Sequence, residues 1–390
     1  MSKPAPDVRG ARGASLQASG DLAPMRVLIV SLRGPTRAGR SGGAQEYVRS
    51  VGSAWAREGH AVSLVCAQER LPSGRLLPAR EEVDGIEVYR VGSPSRRVRP
   101  LLRAARAHAL LADAVLENLM SLPLALPWWL PDAPLVALKH HVHGARGGRE
   151  GAAAGALDRT LLPLAYRRTP LVVPSERTAR AVRGLGLREA SIHVLPPPIR
   201  PQEARGAPRA ARPTVLYLGA LHLARKRVDD VIEAFRQVAR EVPDAQLVLA
   251  GDGPDRAALE SRARGLPVVF HGHVTDAEKA RLYAEAWVLA SPSVEEGFGI
   301  TWIEAGAAGV PLVGYSLDGL DTVGAASSRL VASGDVDALA RELTRVLTDS
   351  GLRQRLSDGA RANAARFTSG ETARALLGLL RAEAAARGSR

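Results

Sequence analysis

Two short apolar runs, MRVLIV at 25–30 and TVLYLG at 214–219, each open a series in which strand-like runs alternate with helical patterns. No other feature constrains the chain so strongly, because repeated strand–helix order builds a parallel sheet covered by helices. In the first half the runs continue with AVSLVC (61–66), IEVYRV (86–91), PLVALKHH (134–141) and PLVVPS (170–175). In the second they continue with AQLVLAG (245–251), LPVVFHG (266–272), WVLASPS (287–293) and VPLVGYS (310–316). Two doubly wound α/β sheets in tandem are expected, and 390 residues exceed one ordinary core.

Between the two series lies PPPIRPQEARGAPRAARP, whose prolines and small residues oppose both helix and ladder pairing. The expected organisation is a disordered tail over 1–24, a Rossmann-like domain over 25–195, a linker over 196–213, a second Rossmann-like domain over 214–370 and a C-terminal helix over 371–390. Ligands of such sheets bind beyond the carboxyl ends of the strands, so two facing domains hold their ligand in the cleft between them.

Several classes fall away. The one cysteine, Cys66, supports neither an internal disulfide nor a zinc ribbon and suits a reducing compartment, so a cytoplasmic location is expected. No run approaches the roughly 20 apolar residues of a spanning helix, since Leu122 to Leu130 carries Pro123 and Pro127. The first residues lack the apolar stretch of a secretory signal. The net charge of +13 is confined to one half: residues 1–200 hold 29 Lys+Arg and 16 Asp+Glu, and the rest holds 24 of each. That asymmetry favours an anionic or surface-bound partner for the first domain. No nucleic-acid partner is expected, because no helix-turn-helix, RNP or zinc-finger spacing accompanies the charge. The stretch 94–112, with Arg96, Arg97, Arg99, Arg103 and Arg106 among leucines and alanines, suits a peripheral contact with anionic lipid or an anionic acceptor. It suits a solvated helix face as well.

Two clusters carry candidate chemistry. Gly42 and Gly43 precede a helix with apolar Tyr47, Val48, Val51, Ala54 and Trp55, where bare backbone N–H groups and the helix dipole favour a phosphate. The run is neither G-x-G-x-x-G nor a Walker sequence, which argues against dehydrogenases and NTPases. The second cluster, SPSVEEGFGITWIEAGAAGVP, places Glu296 and Glu304 eight positions apart around Gly297, Phe298 and Gly299. A retaining glycosidase needs its carboxyl groups about 5 Å apart, whereas eight helical residues rise about 12 Å, so these glutamates do different jobs.

These residues resemble the retaining GT-B nucleotide-sugar glycosyltransferases of family four, the glycosyl transferases group 1. The resemblance covers about residues 25–370. It runs through the SGGAQE loop, VVPSERT at 172–178, LYLGAL at 216–221 with RKRVDDVIEAF after it, LVLAGDGP at 247–254, FHGHV at 270–274 and PSVEEGFGITWIEAGAAGVP at 292–311. It implies a GT-B fold, two Rossmann-like domains facing across a cleft, and a nucleoside-diphosphate sugar as co-substrate, with no cofactor and no metal. The acceptor it implies is a glycan, a lipid-linked molecule or a small molecule. Glu296 then lies near the donor sugar and Glu304 at the ribose, Lys226 is the phosphate cation, and His140 holds the donor sugar and developing charge. Gly42, Gly43, Arg225, Val274, Gly297, Phe298, Gly299 and Ile300 complete the donor side.

The chain departs from the family at two places. An arginine usual after the strand-end glycine is Ala220 here, leaving Arg225 or Arg227 as replacement cations, and the usual Asn-Gly turn reads Pro196, Pro197, Pro198. Of the nine histidines, His140, His141 and His143 form a cluster that resembles a metal site. No carboxylate or cysteine lies beside them in sequence, so no metal is expected. His271 and His273 are expected to be structural. Trp128 and Trp129 suit stacking on sugar rings or closing the core. The implied chemistry is electrostatic stabilisation of the leaving diphosphate by Lys226, by amides at 42 and 43 and by the helix after Gly299. The rival reading is a catalytically silent nucleotide-sugar-binding subunit.

Overall fold

The computed structural model of the chain describes residues 23–37, 42–71, 74–120, 122–143, 148–199, 208–318, 320, 322–367 and 369–388. Most of the tail expected over 1–24, and positions 200–207 of the linker, lie outside the described residues.

The first domain runs β1 (Arg26–Ser31), α1 (Gly43–Arg57), β2 (Ala61–Ala67), β3 (Arg80–Val83), β4 (Ile86–Val91), α2 (Val98–Ala109), β5 (Ala114–Leu119), α3 (Leu126–Trp129), β6 (Leu135–Lys139), α4 (Gly148–Ala165), β7 (Leu171–Val173), α5 (Glu176–Arg183) and β8 (Ile192–Val194). Its eight strands lie in the order β3-β4-β2-β1-β5-β6-β7-β8. All pairs are parallel except the β3–β4 hairpin. That hairpin turns on Asp84 and Gly85, both at positive φ, an Asp-Gly pair of the kind two-residue hairpins require. Tyr47, Val48, Val51 and Trp55 recur at helical spacing and bury one face of α1 against β2 and β4. On the opposite face of the sheet α2, α3 and α4 pack side by side.

The second domain runs β9 (Thr214–Leu218), α6 (Leu223–Lys226), α7 (Val228–Glu241), β10 (Gln246–Ala250), α8 (Arg256–Arg262), β11 (Val268–Gly272), α9 (Asp276–Glu285), β12 (Val288–Ser291), α10 (Ile300–Ala307), β13 (Leu312–Tyr315), β14 (Ser328–Val331), α11 (Val336–Thr348), α12 (Ser350–Ala364) and α13 (Ser369–Gly388). Its six strands are all parallel in the order β11-β10-β9-β12-β13-β14. Apolar residues of α7 at Val228, Val231, Ile232, Phe235 and Val238 form the stripe that covers one face.

The last helix, α13, belongs by packing to the first domain. Ala373, Leu376, Leu377 and Leu380 enter its core, and Trp55 donates its indole N–H to the Ala373 carbonyl at 2.8 Å. The chain therefore crosses between domains twice. The crossings are bonded to each other, Ile199 N–H to Phe367 O at 3.1 Å and Thr372 Oγ1 to Pro196 O at 2.9 Å.

Candidate functional site

A cleft of about 840 Å³ opens between the carboxyl ends of the two sheets. Gly42, Gly43 and His140 line it from the first domain; Lys226, Val274, Glu296, Gly297, Phe298, Gly299, Ile300 and Glu304 line it from the second. The structure thus brings together every expected site residue except Arg225, whose side chain is not part of the wall; its carbonyl instead accepts from Val294 N–H at 3.0 Å. Arg227 is tied to Asp230 at 2.9 Å and also lies off the wall. Ala220 lines the cleft, and the Arg225 charge is close enough to His141 on the facing wall to help depress that ring.

The walls approach closely at Gly297. A β-carbon there would stand 2.2 Å from the His140 carbonyl oxygen, so only glycine fits, and the Gly297 carbonyl accepts from Ser175 Oγ at 2.6 Å. Gly299, at φ 83, turns the chain into α10 and aims that helix's amino end along the cleft. Farther along, Arg49 of α1 bonds Asp276 of α9 at 2.7 Å and Asp84 at 2.7 Å. Asp84 belongs to the first domain, so of these two pairs it is Arg49–Asp276 that ties the domains together.

At Gly42 the amide is already engaged. It donates to Gln45 Oε1 at 2.7 Å, while Gln45 Nε2 reaches Gly34 O at 3.0 Å. The side chain of α1's own first turn has taken the place expected for a phosphate oxygen. Gly43 and Ala44, next in the helix, keep the orphan N–H groups of its amino end.

Lys226 forms a salt bridge with Glu296, so the expected phosphate cation and the expected sugar carboxylate neutralise one another. Glu304 is buried, with one oxygen 2.8 Å from Lys279 Nζ and the other 2.9 Å from the Tyr283 hydroxyl. Burial works against the Lys279 charge, but Glu304 and Glu46 outweigh it and hold the ammonium above its usual pKa. Lys279 was not expected from sequence. Its pairing with Glu304 spans 25 positions and two helices, and nothing in the DAEKARL run announces it.

His140 Nε2 lies 2.6 Å from Asn118 Oδ1. The Asn118 amide nitrogen faces the Ser31 hydroxyl at 2.9 Å and the Ala44 carbonyl at 3.4 Å; a carbonyl can only accept, so the Asn118 oxygen faces the histidine. His140 therefore donates through Nε2 and leaves Nδ1 unprotonated. Burial, helped by the Lys139 charge, pushes the ring down to about 3, so it is neutral at pH 7. Any group that reaches His140 meets a neutral imidazole, not an imidazolium. Asn118→Asp is expected to reverse this: a carboxylate at Nε2 raises the ring into the range of pH 5–8 and adds a step to the pH–rate profile that wild type lacks. An unchanged profile would show that Asn118 does not set the state of His140.

The other two histidines of the cluster differ: His141 lines the cleft beside His140, whereas His143 is held in the structure of the first domain. His143 bonds Asp158 through both its backbone N–H and Nδ1 at 2.9 Å, and Lys139 reaches the same carboxylate at 2.5 Å. Although burial opposes its charge, these partners hold Asp158 below the usual carboxylate range. Among the described residues no group of three or more His, Cys, Asp or Glu is placed to hold a metal. His273 lines the cleft and His271 does not. Trp128 and Trp129 are exposed, lie off the cleft and do not close the core.

The chain matches known families on both sides of the cleft: glycosyltransferase family 4 over residues 41–203 and glycosyl transferases group 1 over residues 212–349. A phosphatidyl-myo-inositol mannosyltransferase of Mycobacterium leprae is 39% identical over 155 residues, 38% of this chain and 41% of that protein. The match thus spans about two fifths of that relative's length. A glycogen synthase of Mycobacterium tuberculosis is 29% identical over 379 residues, covering 86% of this chain and 89% of its own. Among solved structures, the sucrose-phosphate synthase of Thermosynechococcus elongatus superposes with a TM-score of 0.75 at 20% identity over 93% of this chain and 100% of that one. Anabaena HepE with UDP-glucose gives 0.74 at 18% over 92% and 100%. With two parallel-sheet domains, a shared cleft and matched families on either side, the chain belongs to the glycosyl transferases group 1 and has the GT-B fold.

Proposed function

We propose that this chain is a cytoplasmic, retaining glycosyltransferase that moves a sugar from a nucleoside diphosphate to a hydroxyl or amine of a glycan, lipid-linked or small-molecule acceptor, without a resident metal. The observation that carries this reading is the arrangement of charge along one cleft. Lys226 with Glu296 stands near the amino end of α10, and Glu304 with Lys279 stands a turn farther along that helix. A donor entering the cleft offers its diphosphate to Lys226, the Gly43 and Ala44 amides and the α10 dipole, and its ribose hydroxyls to Glu304. The Lys226–Glu296 bridge opens as the phosphate takes the ammonium, and Glu296 is released toward the sugar. Charge that gathers on the leaving diphosphate then meets donors already in place, which lowers the barrier without reorganisation. The leaving phosphate is the base that takes the acceptor proton. Closing the domains over the donor excludes water and limits hydrolysis. Keeping Lys226, Glu296 and Glu304 on one cleft wall weighs against a catalytically silent subunit.

A thermal-shift panel of UDP, GDP, ADP and TDP sugars tests the donor side: one of them at 100 times its dissociation constant should add about 2.7 kcal/mol of stability. With that donor, Glu304→Gln is expected to weaken nucleoside diphosphate binding by roughly 10-fold or more, as a lost bond to a charged group does. Glu296→Gln should slow transfer and leave that affinity near wild type. Equal losses of affinity would refute the division of roles. Product anomeric configuration and activity after chelation test retention and metal independence.

A further inference from the structure

Five large apolar side chains stand exposed on one face of the first domain: Leu110 at 83%, Leu111 at 67%, Leu164 at 62%, Trp128 at 56% and Trp129 at 50%. They come from three segments that are neighbours in space, the end of α2, the short α3 and the last turn of α4, because α3 packs against both of the longer helices. Single exposed apolar residues are ordinary, but a group of this size rimmed by polar residues marks an interaction surface. None of the five lines the cleft.

The rim is positive. Arg99, Arg103, Arg106 and Leu110, spaced four, three and four apart, form one exposed stripe along α2, opposite buried Leu101, Leu102 and Ala105. Arg167 and Arg168 follow Leu164 and are exposed as well. Among the described residues none of these five arginines is paired with a carboxylate. Of the nearby acids, Asp113 is bonded to Arg26 at 2.7 Å, and Glu117 and Asp158 are buried, which leaves Asp132 exposed. Part of the charge excess read from the first half of the sequence therefore lies beside this apolar group.

We propose that this α2–α3–α4 face docks on an anionic lipid bilayer. Tryptophan at its centre suits the headgroup boundary, leucine tips suit the acyl layer just beneath, and unpaired guanidiniums suit a surface of negative headgroups. The face also has a direction. Pro94 and Arg97, just before α2, line the cleft, whereas Leu110 and Leu111 stand at the far end of a helix about 18 Å long. A bilayer lying along α2 therefore touches the rim of the cleft at one end, where an acceptor carried in the membrane reaches it with little lifting from the surface.

The test is flotation of the full chain with vesicles of equimolar phosphatidylglycerol and phosphatidylcholine, and with phosphatidylcholine alone. It needs neither donor nor turnover, so its failure leaves the proposed transfer reaction untouched. Wild type should float with the anionic vesicles at about 0.1 M salt and be released at about 1 M, where the Debye length is near 3 Å. Arg99→Gln/Arg103→Gln/Arg106→Gln should bind on the order of 100-fold more weakly. Trp128→Ser/Trp129→Ser should weaken binding comparably; an unchanged far-ultraviolet circular dichroism spectrum and cooperative melting of both variants without ligand would show that they are folded. The proposal is overturned if wild type stays in the buffer, or if both variants float as wild type does. It is also overturned if wild type binds polyglutamate but no vesicle, or if the tryptophan pair instead holds two copies of the chain together in sedimentation.

Discussion

Replacing Lys226 by alanine should lower turnover by more than about 100-fold, the loss measured for one strong transition-state donor in other enzymes. The reason for so large an effect is local. The turn holding Lys226 contains two other cations, but Arg225 is off the cleft wall and Arg227 is tied to Asp230, while Ala220 supplies none. The substitution also strands Glu296, a half-buried carboxylate that the lysine neutralises, beside an incoming diphosphate. Repulsion is then added to the lost attraction. Glu296→Gln placed on top of Lys226→Ala should therefore cost less than the sum of the two single changes, a coupling that a double-mutant cycle reads directly. Near-wild-type turnover in Lys226→Ala would move the phosphate cation elsewhere, to the first-domain arginines Arg33, Arg70 or Arg97 that also line the cleft.

Gly297→Ala should be nearly as damaging although it adds one methyl group. The new carbon would stand 2.2 Å from a backbone oxygen at the end of β6, and neither side can give way. His140 is pinned to Asn118, and Gly297 is pinned to Ser175 at the start of α5. The two domains must part by about an ångström, which shifts Glu296 and Lys226 relative to His140, and a misplacement of that size costs on the order of 100-fold in rate. Each domain keeps its own core, so the melting temperature should change little. Gly324→Ala, with nothing within 4 Å of its added carbon, is the matched control and should behave as wild type. Full activity in Gly297→Ala would mean that catalysis does not need the closed arrangement.

The sequence made the two-sheet plan readable because the buried parallel strands are continuous apolar runs. It hid the strands that break that rule. The central strand β5, AVLENL, carries Glu117 and Asn118 inside the core, so its composition looks like a helix or loop. Glu117 is accommodated by Tyr166 at 2.7 Å and Leu124 N–H at 3.1 Å, and burial raises it to about 7. The polar REEV of β3, the three-residue β8 and the edge strand β14 were equally silent. At the site, Glu296, Glu304 and Lys226 were legible because each stands in a dense local motif. Asn118, Lys279 and Ser175 were not, because each acquires its meaning from a partner 22, 25 or 122 positions away. For Arg225 the sequence says less, because a short helix turn decides which of three consecutive cations faces the cleft, and RKR does not say which.

The double crossing of the chain has a consequence for how the molecule can be taken apart. Its halves are interlaced, since the first sheet is covered on one face by a helix made from the last twenty described residues. Cutting at the linker does not yield two separable modules; it uncovers the ground against which Ala373, Leu376, Leu377 and Leu380 rest. A chimaera that borrows its first domain from another member of the family must import two pieces of sequence, the segment through β8 and α13. Because the crossings are bonded side by side at Ile199–Phe367 and Pro196–Thr372, they act as paired pins. Any change in the angle between the domains must bend the chain at these two adjacent crossings.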